Sequence, residues 1–227
     1  MHMPSDQQRV LNETEERIRE VALRLFAQKG FPATGTREIA SEVGLTVAGL
    51  YYYVGTKEEL LLNIVLETSG TLLQSALLIG AGDGLPEQKL ALLMLLHVWF
   101  HGEHALEASV INTELRSLSG EAHARALNLR DRYESVWREV IAQGNAGGIF
   151  QVQDVKLGAI ALIEMGRGLS HWYHPQGDIT LREICYMHAD WALGLVRAAR
   201  DGKVVRATDL ELVDPQGLYL NGGPTVG

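Results

Sequence analysis

A single cysteine, Cys185, is all the chain has for covalent cross-linking. An internal disulfide framework is therefore excluded, and a reducing compartment, the cytoplasm, is expected. Basic residues are short as well: 20 Lys and Arg stand against 28 Asp and Glu, a formal net charge of −8. That argues against a protein that coats nucleic acid, but not against a local basic edge, because phosphate contact depends on where charge sits. Even the first 60 residues are not net basic, so any DNA affinity must come from a few placed groups and backbone N–H donors. No signal peptide is read at the N-terminus. The most apolar run, Leu90 to Phe100, falls well short of the ~20 residues needed to cross a bilayer, so no membrane partner is expected. Gly-x-Ser-x-Gly elbows, Walker loops and dinucleotide fingerprints are all missing, and Cys185 reads as a buried structural thiol. No enzyme activity and no cofactor is expected. No internal repeat and no strand alternation of useful length precedes residue 203.

What remains is helical periodicity, and the fold class expected is all-α. Residues 1–11 are polar and predicted to fray. Asn12 and Glu15 form a capping-box pattern, and Ile18, Val21, Ala22, Leu25 and Phe26 recur at helical spacing, predicting a helix over 13–29. Further helices are predicted at 36–43, 46–54, from Thr56 to about Ile79, 86–101, 104–118, 120–145, 155–173 and 181–200. Thr56 with Glu59 and Thr180 with Glu183 give two more capping boxes, and Asp154 a cap. The helix from Pro86 is apolar nearly all round in its second half, which marks it as the centre of a domain. Beyond Gly202 the chain is rich in valine, glycine and proline. Three divisions follow: residues 1–58, residues 59–202 and a tail, 203–227.

The stretch Thr36 to Lys57, TREIASEVGLTVAGLYYYVGTK, reads as two short helices with a tight turn and the start of a third. Thr36 is a candidate N-cap, Gly44 suits a left-handed helix stop, Leu45 plugs the corner, Thr46 caps the second helix and Leu50 points inward. That is a helix-turn-helix, whose second helix enters a DNA major groove. Tyr51, Tyr52 and Tyr53 cannot all face inward on a 3.6-residue period, so at least two present hydroxyls outward, able to meet phosphates or thymine methyls. The run from Gly44 to Val54, followed by Thr56-Lys57-Glu58-Glu59-Leu60-Leu61 and preceded by Gly30-Phe31-Pro32-Ala33-Thr34, resembles the TetR family of transcriptional repressors. The resemblance implies a three-helix DNA-binding domain followed by about six helices for ligand binding and dimerisation. It implies base-edge positions at Val47, Ala48 and Gly49, DNA contacts from Tyr51 and Tyr52, and phosphate contacts from Tyr53, Thr36, Thr46 and Lys57. Lys57 at a helix start is unfavourable for the dipole, which makes a phosphate partner more plausible.

In the larger domain, His97 and His101 lie one turn apart in the apolar helix. A cavity between this helix and the 120–145 helix would give the imidazoles a role as polar anchors among apolar walls. Leu93, Leu96, His97, Phe100, His101, Trp137 and Ile141 are the candidate ligand residues. A rival reading makes His97 and His101, near Glu103, His104 and Glu107, a metal-responsive site. The resemblance further implies a homodimer through the last two long helices, with Gly158, Ala161, Ile184, Met187, His188, Trp191 and Leu195 at the interface. The Gly147-Gly148-Ile149-Phe150 turn and the Trp172-Tyr173 corner resemble the branch of the family that answers acyl-CoA thioesters. The expected partners are thus a near-palindromic double-stranded operator, a small, largely apolar effector and a second copy of the chain. The rival of another class is a small-molecule-binding or hydrolytic protein with a vestigial DNA module.

Overall fold

A computed structural model describes residues 6–219 and is helical almost throughout. The helices are α1 (Asp6–Lys29), α2 (Thr36–Glu42), α3 (Val47–Val54), α4 (Lys57–Ala81), α5 (Pro86–Glu103), α6 (Ala105–Glu114), α7 (Gly120–Ala146), α8 (Val155–Arg167), α9 (Leu169–Trp172) and α10 (Leu181–Leu195). The first residues of the segment expected to fray, and the last eight of the expected tail, lie outside the described residues. Where the expected frayed segment is described, from Asp6, it is helical: Asn12 stands inside α1 and does not begin it. The capping boxes at Thr56/Glu59 and Thr180/Glu183 do form. The helix expected over 155–173 breaks at Gly168 into α8 and α9, and the one expected to reach residue 200 stops at Leu195.

The chain divides into two compact units. One comprises the chain up to Thr68 together with Ser109–Leu127; the other comprises Ser69–Ala108 and the chain from Asn128 onward. The division does not fall at a single point after residue 58, because the end of α6 and the start of α7 contribute to the core of the first unit. That core holds Ile18, Leu25 and Phe26 of α1, Ile39 of α2, Leu50 of α3 and Leu61 and Ile64 of α4, joined by Val110, Leu118 and Ala126. In α4 alone the described chain has a helix long and apolar enough to cross a membrane, a length that the apolar-run reading overlooked. Its apolar residues Leu60, Leu61, Ile64, Val65, Leu72 and Leu73 are buried in the protein itself, while Leu78 near its end is exposed.

In the second unit α5 is central, with α8 and α10 packed on it, and Leu90 to Leu96 are buried apart from Leu92. After α10 the chain turns at Arg197 and forms a two-stranded antiparallel hairpin, β1 (Ala199–Arg200) with β2 (Lys203–Val204). Short 3-10 turns at Ala207–Asp209 and Pro215–Leu218 follow.

Candidate nucleic-acid interface and effector site

The turn between α2 and α3 is built locally. Gly44 takes φ +73°, a conformation that costs glycine little, and this lets Leu45 N–H donate back to the Ala40 carbonyl at 2.8 Å. Thr46 then caps α3, its hydroxyl oxygen accepting from Gly49 N–H at 3.0 Å. At α2 the cap differs from expectation: Gly35 is the N-cap, and Thr36 is the first helical residue with no capping bond. The threonine hydroxyl used nearby is that of Thr34, buried and donating to the Gly30 carbonyl at 2.9 Å. Leu50 anchors α3 in the core, whereas Ala48, Tyr51 and Tyr52 are exposed, Tyr52 to 78%. Val47, Gly49 and Tyr53 are half-buried, and the Tyr52 and Tyr53 rings meet edge to face at 5.4 Å. Tyr51 and Tyr52 are therefore exposed on the outer side of the second helix.

Lys57 departs from its expected role. Its ammonium donates to the Phe31 carbonyl at 2.8 Å and the Thr34 carbonyl at 2.7 Å, and lies 4.2 Å from the centre of the Phe31 ring. Two of its three donors thus hold the loop that connects α1 to α2, and partial burial lowers its pKa. The unfavourable position at a helix start is repaid inside the chain, so it does not call for a phosphate. Other basic side chains of α1 and α2 are engaged too: Arg24 with Glu42, Lys29 with Glu38, and Arg19 with Glu16 and Glu67. Arg37, exposed in the first turn of α2, has no such partner among the described residues. Sequence reasoning passed over it; its place beside Thr36 was the available signal.

In the second unit all seven candidate ligand residues are buried. His97 is fully engaged: the Tyr133 hydroxyl lies 3.0 Å from Nδ1, and Nε2 lies 2.9 Å from the Ile163 carbonyl. A carbonyl only accepts, so Nε2 carries the proton and Nδ1 accepts from the phenol. By the same logic His101 donates from Nδ1 to the His97 carbonyl at 2.8 Å. Burial pushes His97 well below the ordinary histidine range and His101 down to about 4, so both rings are neutral near pH 7. Trp137 stands edge-on to His97 at 5.7 Å, and its indole N–H approaches the Tyr133 hydroxyl without closing a well-formed hydrogen bond. A glycine is required at 166, where a Cβ would lie 2.5 Å from the His97 ring. Tyr133, the Ile163 carbonyl and Gly166 complete the cluster and were not among the expected ligand residues. Among the described residues, no group of three metal-binding side chains comes together. His104 sits instead against Phe100 and near Glu107.

The expected interface residues split into two sets. Gly158, Ile184 and His188 are buried within the protomer, Gly158 against Val152, so they are unavailable to a partner. Ala161 of α8 and Met187, Trp191 and Leu195 of α10 are exposed, as is Leu157, which was not anticipated. On α10 these lie four residues apart and form one stripe, with the Trp191 ring tilted against that of His188, centroids 4.6 Å apart.

Comparison with known proteins agrees with this arrangement. Residues 18–64 match the model described as bacterial regulatory proteins, tetR family, and residues 83–196 match that described as tetracyclin repressor-like, C-terminal domain. The HTH-type transcriptional repressor KstR2 of Mycobacterium tuberculosis is 23% identical over 186 residues, covering 81% of this chain and 93% of that protein. YerO of Bacillus subtilis, an HTH-type transcriptional regulator, is 49% identical over only 53 residues, 23% of this chain and 18% of its own length. Among solved structures, a tetR-family regulatory protein from Rhodococcus RHA1 is 30% identical with a TM-score of 0.77, covering 82% of this chain and 98% of its own. AibR, solved with isovaleryl coenzyme A and operator DNA, shares the fold at 24% identity and a TM-score of 0.72, over 78% of this chain and 97% of its own. With a helix-turn-helix at its start, a matching C-terminal domain after it and a relative of 30% identity over 82% of its length, the chain belongs to the TetR family of transcriptional regulators.

Proposed function

We propose that the protein is a homodimeric repressor that binds a near-palindromic operator and leaves it when a largely apolar organic effector binds the C-terminal unit. The observation that carries this reading is the outer side of α3, where Ala48, Tyr51 and Tyr52 stand exposed while Leu50 fixes the helix from behind. Thr36, Thr46, Val47, Gly49 and Tyr53 border that surface, and Arg37 supplies an exposed charge at its edge. Polar readout is sparse there, so discrimination rests on methyl and aromatic contacts and on DNA shape. The exposed stripe of Met187, Trp191 and Leu195, with Leu157 and Ala161, supplies a self-complementary apolar seam for a second copy. Acting on DNA in this way, the protein works in the cytoplasm and has no enzymatic step.

The effector is read as an acyl-CoA thioester. Support comes from the neutral, internally bonded imidazoles of α5, which favour an organic ligand over a metal ion, and from AibR, where the same fold accommodates isovaleryl coenzyme A. An effector acts only through differential affinity for the operator-binding and released conformers. The test is a gel shift against DNA upstream of its own coding region, followed by challenge with saturated acyl-CoAs, free fatty acids and divalent metals in parallel. Release by acyl-CoA at concentrations that leave the dimer intact supports the reading. Release by a metal alone replaces the effector class, and no retention of any upstream DNA defeats the repressor function.

A further inference from the structure

Side chains read bases in the major groove chiefly through Arg or Lys on guanine, Asn or Gln on adenine and Asp or Glu on cytosine. From Thr46 to Val54 the chain contains none of these. The hydroxyl oxygen of Thr46 is taken by Gly49 N–H at 3.0 Å. Leu50 is buried, and Val47, Gly49 and Tyr53 are half-buried. What reaches outward is Ala48, Tyr51 and Tyr52. Ala48 stands three and four residues before the two tyrosines, so the three share one face across a single turn. Arg37 lies on α2, the helix that crosses the phosphate backbone in this motif, where a charge positions the protein and carries no sequence information.

Two kinds of surface are left to read with. A phenol hydroxyl both donates and accepts. It pairs with N7 of either purine, with O4 of thymine or with the N4 amine of cytosine, and so separates none of them. Carbon surface does discriminate, because among the four bases only thymine carries a methyl group on its major-groove edge. The outward triad suits that contact. The Ala48 methyl loses no rotamer freedom on docking, and the half-buried Tyr53 ring meets the Tyr52 ring edge to face at 5.4 Å, which holds its orientation. We propose that α3 reads its operator through the C5-methyl groups of thymine: Ala48 and the rings of Tyr51 and Tyr52 answer to the methyl and ignore the hydrogen-bonding edge of the base that bears it. A 5-methylcytosine, which presents the same methyl in the same groove, is then read as thymine is. This rests on the reading of α3 as the helix that docks on DNA.

The test uses the full chain and the upstream duplex retained in the gel shift, with affinity measured by fluorescence anisotropy at one fixed salt concentration. Deoxyuridine replaces thymine at one position at a time, which deletes a methyl and leaves O4 and the base pair in place. Affinity is expected to fall about fourfold at each contacted thymine, the worth of one buried methyl, and again at the symmetry-related position of the other half-site. At each responding position, a G·C pair carrying 5-methylcytosine is expected to bind about fourfold tighter than the same pair with plain cytosine. Ala48→Gly is expected to bring the thymine-to-uracil ratio close to one at one position of each half-site, and Tyr52→Ala at another. A general loss of folding weakens both duplexes alike and leaves that ratio unmoved. A flat uracil scan overturns the proposal. So does 5-methylcytosine that binds no tighter than cytosine, or a ratio that both variants leave unchanged. A retained duplex with a flat scan leaves the repressor reading standing and removes only the methyl readout. If no upstream duplex is retained at all, the repressor reading fails and this proposal falls with it.

Discussion

Lys57 and Arg37 offer a paired perturbation that separates folding from docking. Lys57→Met keeps the stem and removes the ammonium that bridges the Phe31 and Thr34 carbonyls at 2.8 and 2.7 Å. A hydrogen bond to a charged donor contributes about 1.5–3 kcal/mol when sheltered. The site is half-buried, so about 1 kcal/mol each is the sounder figure, with a further ~0.5 kcal/mol for the cation above the Phe31 ring. The expected loss is about 2.5 kcal/mol, which for a chain of this size lowers the thermal midpoint by roughly 5–10 °C. Operator affinity, measured by fluorescence anisotropy from low to moderate salt, should keep its salt slope. Arg37→Ala should do the reverse: an unchanged midpoint and a slope shallower by about one for each protomer that contacts the operator. If Lys57→Met melts like wild type and flattens the salt slope, Lys57 is a phosphate ligand and the clamp assignment is wrong.

Three further outcomes follow from the second unit. His101 titrates near 4 in the fold and His97 is also depressed, so the unfolded chain takes up their protons first; nothing is lost above about pH 6.5, below which His101 lowers stability by about 1.4 kcal/mol per pH unit down to about pH 4 and His97 adds to that fall. Urea titrations at successive pH values should show this, and His101→Asn should remove one proton's worth of slope; an unchanged slope contradicts the assignment. Gly166→Ala drives a methyl to within 2.5 Å of the doubly bonded His97 ring and should cost about 3 kcal/mol in urea unfolding, a loss under 0.5 kcal/mol being the refuting result. Trp191→Glu, at a position half exposed in the protomer, should leave circular dichroism unchanged but yield monomer in sedimentation at micromolar concentration. A dimer of undiminished tightness would move the interface elsewhere.

The helix-turn-helix was legible because its determinants are local. Gly44, Thr46 and Leu50 act within six residues of one another, and a sequence window contains the whole argument. The capping boxes show where local reading ends. Thr56/Glu59 and Thr180/Glu183 cap because the residues before them are not helical, whereas Asn12/Glu15 is the same pattern inside a helix that begins at Asp6. Lys57 could not be assigned from the sequence because its acceptors lie 23 and 26 residues away. The use of His97 depends on Tyr133 and Ile163, 36 and 66 residues along. On α10 both helix faces are apolar, so periodicity groups Ile184, Met187, His188, Trp191 and Leu195 in one interface stripe and does not say which of them the protomer keeps. Ile184 and His188 went inward and Met187, Trp191 and Leu195 outward.

The end of α10 is where propensity and packing disagree most. Leu195-Val196-Arg197-Ala198-Ala199-Arg200 contains good helix formers, and nothing in that run forbids another turn and a half of helix. The chain leaves the helix nonetheless, with Arg197 at φ 52° in the conformation glycine usually fills. Two sets of bonds outweigh that cost. Ala198 N–H closes onto the Leu193 carbonyl, and residues 196–199 exchange hydrogen bonds with Ile149 and Gln151 of the α7–α8 connection. Asp201-Gly202, both at positive φ, then make the two-residue turn that sets β2 beside β1. That dipeptide was a readable hairpin signal, overlooked because the helical run before it seemed to need no stop. The consequence reaches α5. A helix apolar on nearly every side must be covered on every side, and α8 and α10 supply only part of the cover. By ending α10 early, the chain frees Arg200 to meet the buried Glu87 and carries the following residues along the remaining face of the helix that holds His97 and His101.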